Sequence, residues 1–131
     1  IQLHLCIIYL FAGLSKLQGI SWWEGTALWR SLANYEYQSV NMLWLAHAPW
    51  LINLLTHIAL AWEISYAFLI WNRTTRPLIL ALAVPVHMGI AICMGMMTFG
   101  MIMLIANLAF VSPVLVRSLM GALSRRSSFR L

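Results

Sequence analysis

Lys16 is the only lysine of the chain, and it stands near the end of a long apolar run, Tyr9-Leu10-Phe11-Ala12-Gly13-Leu14-Ser15-Lys16-Leu17. A charged amine in lipid costs roughly 2.5–3.5 kcal/mol at the bilayer centre and less toward its edge. Such a group pairs with a counter-charge, snorkels to the headgroups, or does chemistry; a neutral lysine amine is a general base. Two further ionisable groups, Glu63 and His87, also lie inside apolar runs. An intramembrane glutamate must take a proton or find a partner, and the candidates are a histidine, a tyrosine hydroxyl or an arginine at the cytoplasmic end. Gln2, Tyr9 and Lys16 recur every seven residues and share one helix face, with Gly13 beside that stripe. Asn53, Thr56, His57, Glu63 and Tyr66 cluster on about half the circumference of a second helix. Lys16, Glu63 and His87 are the candidate functional groups, with Tyr9 and His57 as further polar candidates for a binding site. For Asn53, Thr56 and Tyr66 the plainer reading is interhelical hydrogen bonding, typically worth ~0.6–2 kcal/mol each.

The elements that hold these residues follow from composition. Of 131 residues, 63% are hydrophobic and 8% charged, and the mean hydropathy is +0.85. Soluble domains carry roughly 25% charged residues. The polar surface is too small to cover a water-soluble globule, so the chain reads as an all-α integral membrane protein in a lipid bilayer. The runs are too long for barrel strands, and helices satisfy their own backbone groups in lipid. Four crossings are expected, at 1–18, 48–71, 77–96 and 99–116. The last two are read as a hairpin turning at Met94-Gly95-Met96-Met97-Thr98-Phe99-Gly100, because one helix across both is too long for a single crossing.

Arginine placement agrees with this count. Arg73 and Arg76 lie in the connection 72–77, and Arg117, Arg125, Arg126 and Arg130 in the tail, whereas 18–47 carries Glu24, Arg30 and Glu36. The positive-inside rule then puts residue 1, the 72–77 loop and the tail in the cytoplasm, with 18–47 on the far side, periplasmic in a bacterial inner membrane. The chain divides into a transmembrane domain, 1–116, and a basic cytoplasmic tail, 117–131. The formal charge of +5 is a topology signal, and no nucleic-acid partner is expected. Cys6 and Cys93 are isolated apolar fillers, with no metal or disulfide pattern. Ile1 opens the chain inside an apolar segment without a signal-peptide pattern, so a piece of a longer protein is expected.

The 18–47 connection is the least lipid-like part. Trp22, Trp23 and Trp29 recur near helical spacing, and Ser21 with Glu24 three residues later makes a capping box. The plain reading is one short interfacial helix with its tryptophans at headgroup level; the sharper one is a lid over a site beneath. Pro49 reads as the first turn of the second crossing.

The string from Gln2-Leu3 through Tyr9-Leu10-Phe11-Ala12-Gly13-Leu14-Ser15-Lys16-Leu17, followed by Trp22, Trp23 and Glu24-Gly25, resembles the vitamin K-dependent γ-glutamyl carboxylases. It is more similar still to their bacterial relatives, the horizontally transferred transmembrane (HTTM) domain proteins. Glu63, Arg76, His87 and the Phe99 to Met103-Leu104 stretch follow at family-like spacings, and the resemblance covers roughly 1–113. It implies a carboxylase-like, quinol-oxidising lyase whose cofactor is vitamin K hydroquinone or another quinone. In the carboxylases the matching lysine deprotonates the hydroquinone, the oxygenated product strips a γ-proton from glutamate, and carbon dioxide adds to the carbanion. Lys16 then stands for that base, and His87 for a family histidine needed for activity. At 1.5 Å per residue Lys16 and His87 differ in depth by about 10 Å, too far to touch in straight helices. The alternative is a non-catalytic transmembrane subunit that packs against other membrane chains, with Lys16 snorkelling.

Overall fold

The computed structural model describes residues 1–36 and 38–112. The basic tail 117–131 and the expected last residues of the fourth crossing, 113–116, lie outside the described residues. The described chain is helical, with no strand among those residues. Helix α1 spans Gln2–Lys16, α2 Ile20–Trp23, α3 Ala27–Leu32, α4 Pro49–Leu69, α5 Arg76–Cys93 and α6 Met97–Asn107. A 3₁₀ turn, Leu43–His47, leads into α4, and another, Leu108–Phe110, follows α6.

Of the four expected crossings, two helices are long and apolar enough to span: α4 with 21 residues and α5 with 18. Helix α1 has 15 residues and α6 has 11, about 22 and 16 Å at 1.5 Å per residue, shorter than the ~30 Å hydrocarbon core. The expected positions are close to those observed, but the outer pair stops early. Leu17 closes α1 with its N–H on the Gly13 carbonyl, and the backbone tightens to 3₁₀ geometry directly after Asn107.

Local sequence explains several boundaries. Pro49 begins α4, where the missing N–H costs nothing and φ is pre-set. Arg76 opens α5 and folds back on the end of α4, its Nε donating to the Ile70 carbonyl at 3.0 Å and its Nη2 to the Trp71 carbonyl at 3.1 Å. Those carbonyls would otherwise lack a helical partner. Gly95, at φ 66°, turns the chain between α5 and α6, which pack as a hairpin. A Cβ at Gly100 would lie 2.6 Å from the His87 carbonyl oxygen and 2.7 Å from Ala91 Cβ. Only a glycine lets these backbones approach so closely.

The tryptophan segment differs from expectation. Helix α2 is capped by Gly19 in extended backbone, two residues before Ser21, and no side chain caps it. The Ser21–Glu24 capping box therefore does not form. The Ser21 carbonyl accepts the Thr26 N–H at 2.9 Å, and Gly25 at φ 71° breaks the chain before α3. Trp22 and Trp23 thus lie on one short helix and Trp29 on another.

The core lies between α1, α4, α5 and α6. Leu5, Cys6, Tyr9, Trp62, Tyr66, Ile70, Ile79, Ala83, Met103 and Phe110 form its main cluster. A smaller one, around Leu32, Leu45 and Ile52, ties the loop segment to α4. Outward faces carry large apolar side chains such as Leu3, Phe11, Phe68, Leu78, Ile102 and Ile105, the pattern of helices solvated by lipid.

Candidate functional site

The polar groups of the bundle fall into two sets along α1. At its C-terminal end the Lys16 ammonium reaches α4, where Nζ donates to Glu63 Oε1 at 2.8 Å and Oε2 at 2.6 Å. Both side chains are only part-exposed, 26% for Lys16 and 17% for Glu63. Nζ also sits 5.4 Å from the centre of the Trp22 ring, which approaches from α2. The partner of Glu63 is therefore the lysine, and not the histidine, tyrosine or arginine expected. Gly13 makes the approach of α1 possible: a Cβ there would stand 2.7 Å from Ile64 Cγ1 and 3.5 Å from Glu63 Cβ.

Two turns back along α1, Tyr9 is 2% exposed and enters a buried network. Its hydroxyl lies 2.6 Å from His87 Nε2 on α5. Asn107 on α6 donates from Nδ2 to the Tyr9 hydroxyl at 3.0 Å and to the Met103 carbonyl at 2.8 Å. Tyr66 on α4 donates its hydroxyl to Asn107 Oδ1 at 2.7 Å. One side chain from each of the four long elements thus meets at one depth. Aromatic rings enclose the site: Tyr9 lies over Tyr66 with centroids 4.0 Å apart, and Trp62 and Phe99 stand at 6.1 and 6.0 Å from the His87 ring. Among the described residues, His87 Nδ1 is the one buried side-chain polar atom without a hydrogen-bond partner.

Lys16 and His87 do not touch, in keeping with their difference in depth; each pairs with another residue. Tyr9 and Glu63 join the two sets, Tyr9 beside His87 and Glu63 beside Lys16. His57 joins neither. It is exposed, and its Nδ1 lies 2.8 Å from the Asn53 carbonyl one turn earlier in its own helix. Of the weakly polar residues, Tyr66 bonds across helices as expected. Thr56 bonds the Ile52 carbonyl and receives the Leu28 N–H, and Asn53 reaches the Glu24 carbonyl at 3.0 Å. Asn107 was not among the residues singled out from sequence. Its only signal is an amide alone in the middle of the last apolar run.

A cleft of about 320 Å³ opens on the loop side, lined by residues that include Glu24, Thr26, Trp29, Pro49 and Asn53. It touches neither polar set. No group of three or more potential metal ligands occurs among the described residues, and Cys6 and Cys93 are free thiols.

The model of the HTTM domain family matches residues 1–114. The chain therefore belongs to the HTTM domain family, a membrane domain family related to vitamin K-dependent carboxylase. No curated protein and no solved structure matches it.

Proposed function

We propose that this HTTM domain is a carboxylase-like membrane domain in which Lys16 serves as a base toward an apolar quinol. The observation that carries the reading is the direction of the Lys16 side chain. Its amine pairs with Glu63 on α4 and lies 5.4 Å from the centre of the Trp22 ring. Those groups suit a quinol: an apolar ring packs on an indole, and its hydroxyl needs a proton acceptor. A bound quinol would supply the hydroxyl whose deprotonation begins the chemistry. Glu63 Oε2, 2.6 Å from Nζ, fixes the position of the amine beside the Trp22 ring. Trp22, on the short α2, is the residue of the expected lid that reaches the Lys16 amine. His87, buried beside Tyr9, is the second polar contact deeper in the bundle.

In this reading all four long elements traverse the bilayer, with 18–47 periplasmic and the 72–77 loop and tail cytoplasmic in a bacterial inner membrane. A second reading has one observation in its favour. Lys16 and Glu63 neutralise each other, so the pair also serves as a clamp between α1 and α4 in a non-catalytic subunit that packs against other membrane chains.

Binding separates the two. Vitamin K quinone, titrated into the protein in lipid nanodiscs, should quench tryptophan fluorescence saturably. Trp22→Phe should remove part of that signal, and Lys16→Met should weaken the apparent affinity. Quenching that rises linearly with quinone and is identical in Lys16→Met would leave the clamp.

A further inference from the structure

Asn107 has a role beyond packing, which follows from counting hydrogens around it. A side-chain amide looks the same in outline when its oxygen and nitrogen are exchanged, so its orientation has to come from its partners. The Met103 carbonyl, 2.8 Å away, accepts and never donates. The atom facing it is therefore Nδ2, and the other hydrogen of Nδ2 points at the Tyr9 hydroxyl 3.0 Å away. Oδ1 then faces Tyr66, whose hydroxyl donates to it.

This settles what Tyr9 can do. Its oxygen accepts from Asn107, and its one hydrogen has His87 Nε2 within 2.6 Å as acceptor. If Tyr9 donates to Nε2, a neutral imidazole carries its proton on Nδ1, and one buried group, Nδ1–H, is left without a partner. If instead Nε2–H donates to Tyr9, two groups are left over: the Tyr9 O–H and the bare Nδ1. Each unpaired buried group is costly in the interior of a bundle. The first arrangement is favoured.

We infer that Asn107, acting through Tyr9, is a positioning residue that fixes the proton of His87 on Nδ1 and leaves that N–H as a buried donor awaiting an acceptor. The inference stands without Lys16 acting as a base, so its failure and the failure of the proposed function are separate results.

Side-chain nitrogen NMR reads the proton directly. His4, His47 and His57 are all exposed, so replacing them by glutamine leaves His87 as the one labelled histidine of the chain in nanodiscs. The expected spectrum has a protonated Nδ1 and a bare Nε2, in roughly tenfold excess or more over the other tautomer, the ratio that one extra unpaired buried group imposes. Asn107→Asp puts an acceptor oxygen where Nδ2 faces Tyr9, so that Tyr9 can donate to it and accept from His87, and should raise the Nε2–H form to a comparable population. Tyr9→Phe, which removes the acceptor of the amide and the donor to His87, should do the same. A native spectrum showing Nε2–H, a doubly protonated ring, or a tautomer ratio unmoved by both substitutions would overturn the assignment.

Discussion

Lys16 Nζ lies within 2.8 Å of both carboxylate oxygens of Glu63, so the chain's lone lysine and the one acid of its apolar runs share a single contact between α1 and α4. Forty-seven positions separate them in sequence. The pair neutralises two charges that would each be costly in lipid, and it holds the amine where a ligand against Trp22 would meet it.

Removing one member strands the other. Lys16→Met or Glu63→Gln alone should destabilise the domain by about 1–3 kcal/mol, less than the ~3–5 kcal/mol of a fully buried pair because both side chains keep some exposure. The double variant Lys16→Met with Glu63→Leu should recover most of that loss. Thermal unfolding in detergent checks this, and single losses that simply add in the double variant would mean the two charges do not interact.

The buried network should be worth less per bond. Tyr66→Phe deletes one interhelical hydrogen bond to Asn107 without changing the ring and should cost ~0.6–2 kcal/mol. His57→Ala should cost less than ~0.5 kcal/mol, as expected of an exposed group outside both sets. Equal losses in the two variants would contradict the separation of His57 from the site.

Helix contact at the glycines makes a third prediction. Gly100→Ala forces a methyl against the His87 carbonyl and should destabilise by about 1–3 kcal/mol. Gly13→Ala, beside Ile64 and Glu63, should cost a similar amount and also weaken the coupling measured between Lys16 and Glu63. An unchanged unfolding temperature for Gly13→Ala would mean α1 has room to withdraw.

How much of this was legible in sequence depends on how local the cause is. Pro49, Gly95 and the apolar runs act within a few residues, and the helix entry, the hairpin and the approximate helix positions follow from them. The capping box failed because Gly19 starts α2 earlier, and the positive φ of Gly25 divides the tryptophan segment. Helix lengths were overestimated at α1 and α6, since hydrophobicity continues past the residues where the backbone turns. The Lys16–Glu63 pair joins two individually visible residues, but their contact depends on how α1 crosses α4 at Gly13. Asn107 was hidden because one amide in an apolar run looks the same whether it bonds its own helix or organises three others.

Topology has its own test. With Cys6 and Cys93 replaced by serine, a cysteine introduced at Tyr35, which is 88% exposed, should react with a membrane-impermeant maleimide in intact cells. One introduced at Arg73, also exposed, should react only after lysis. The reverse labelling would invert the proposed orientation.

A Lys16 amine that takes a proton from a quinol must set the rate at which the protein consumes that quinol. The decisive measurement is the rate at which purified protein in nanodiscs consumes vitamin K hydroquinone under oxygen, compared with Lys16→Met. Turnover should exceed the protein-free rate and fall at least a hundredfold toward that background in Lys16→Met, a loss at the lower end of what a general base contributes. Turnover that is the same in both proteins would contradict it.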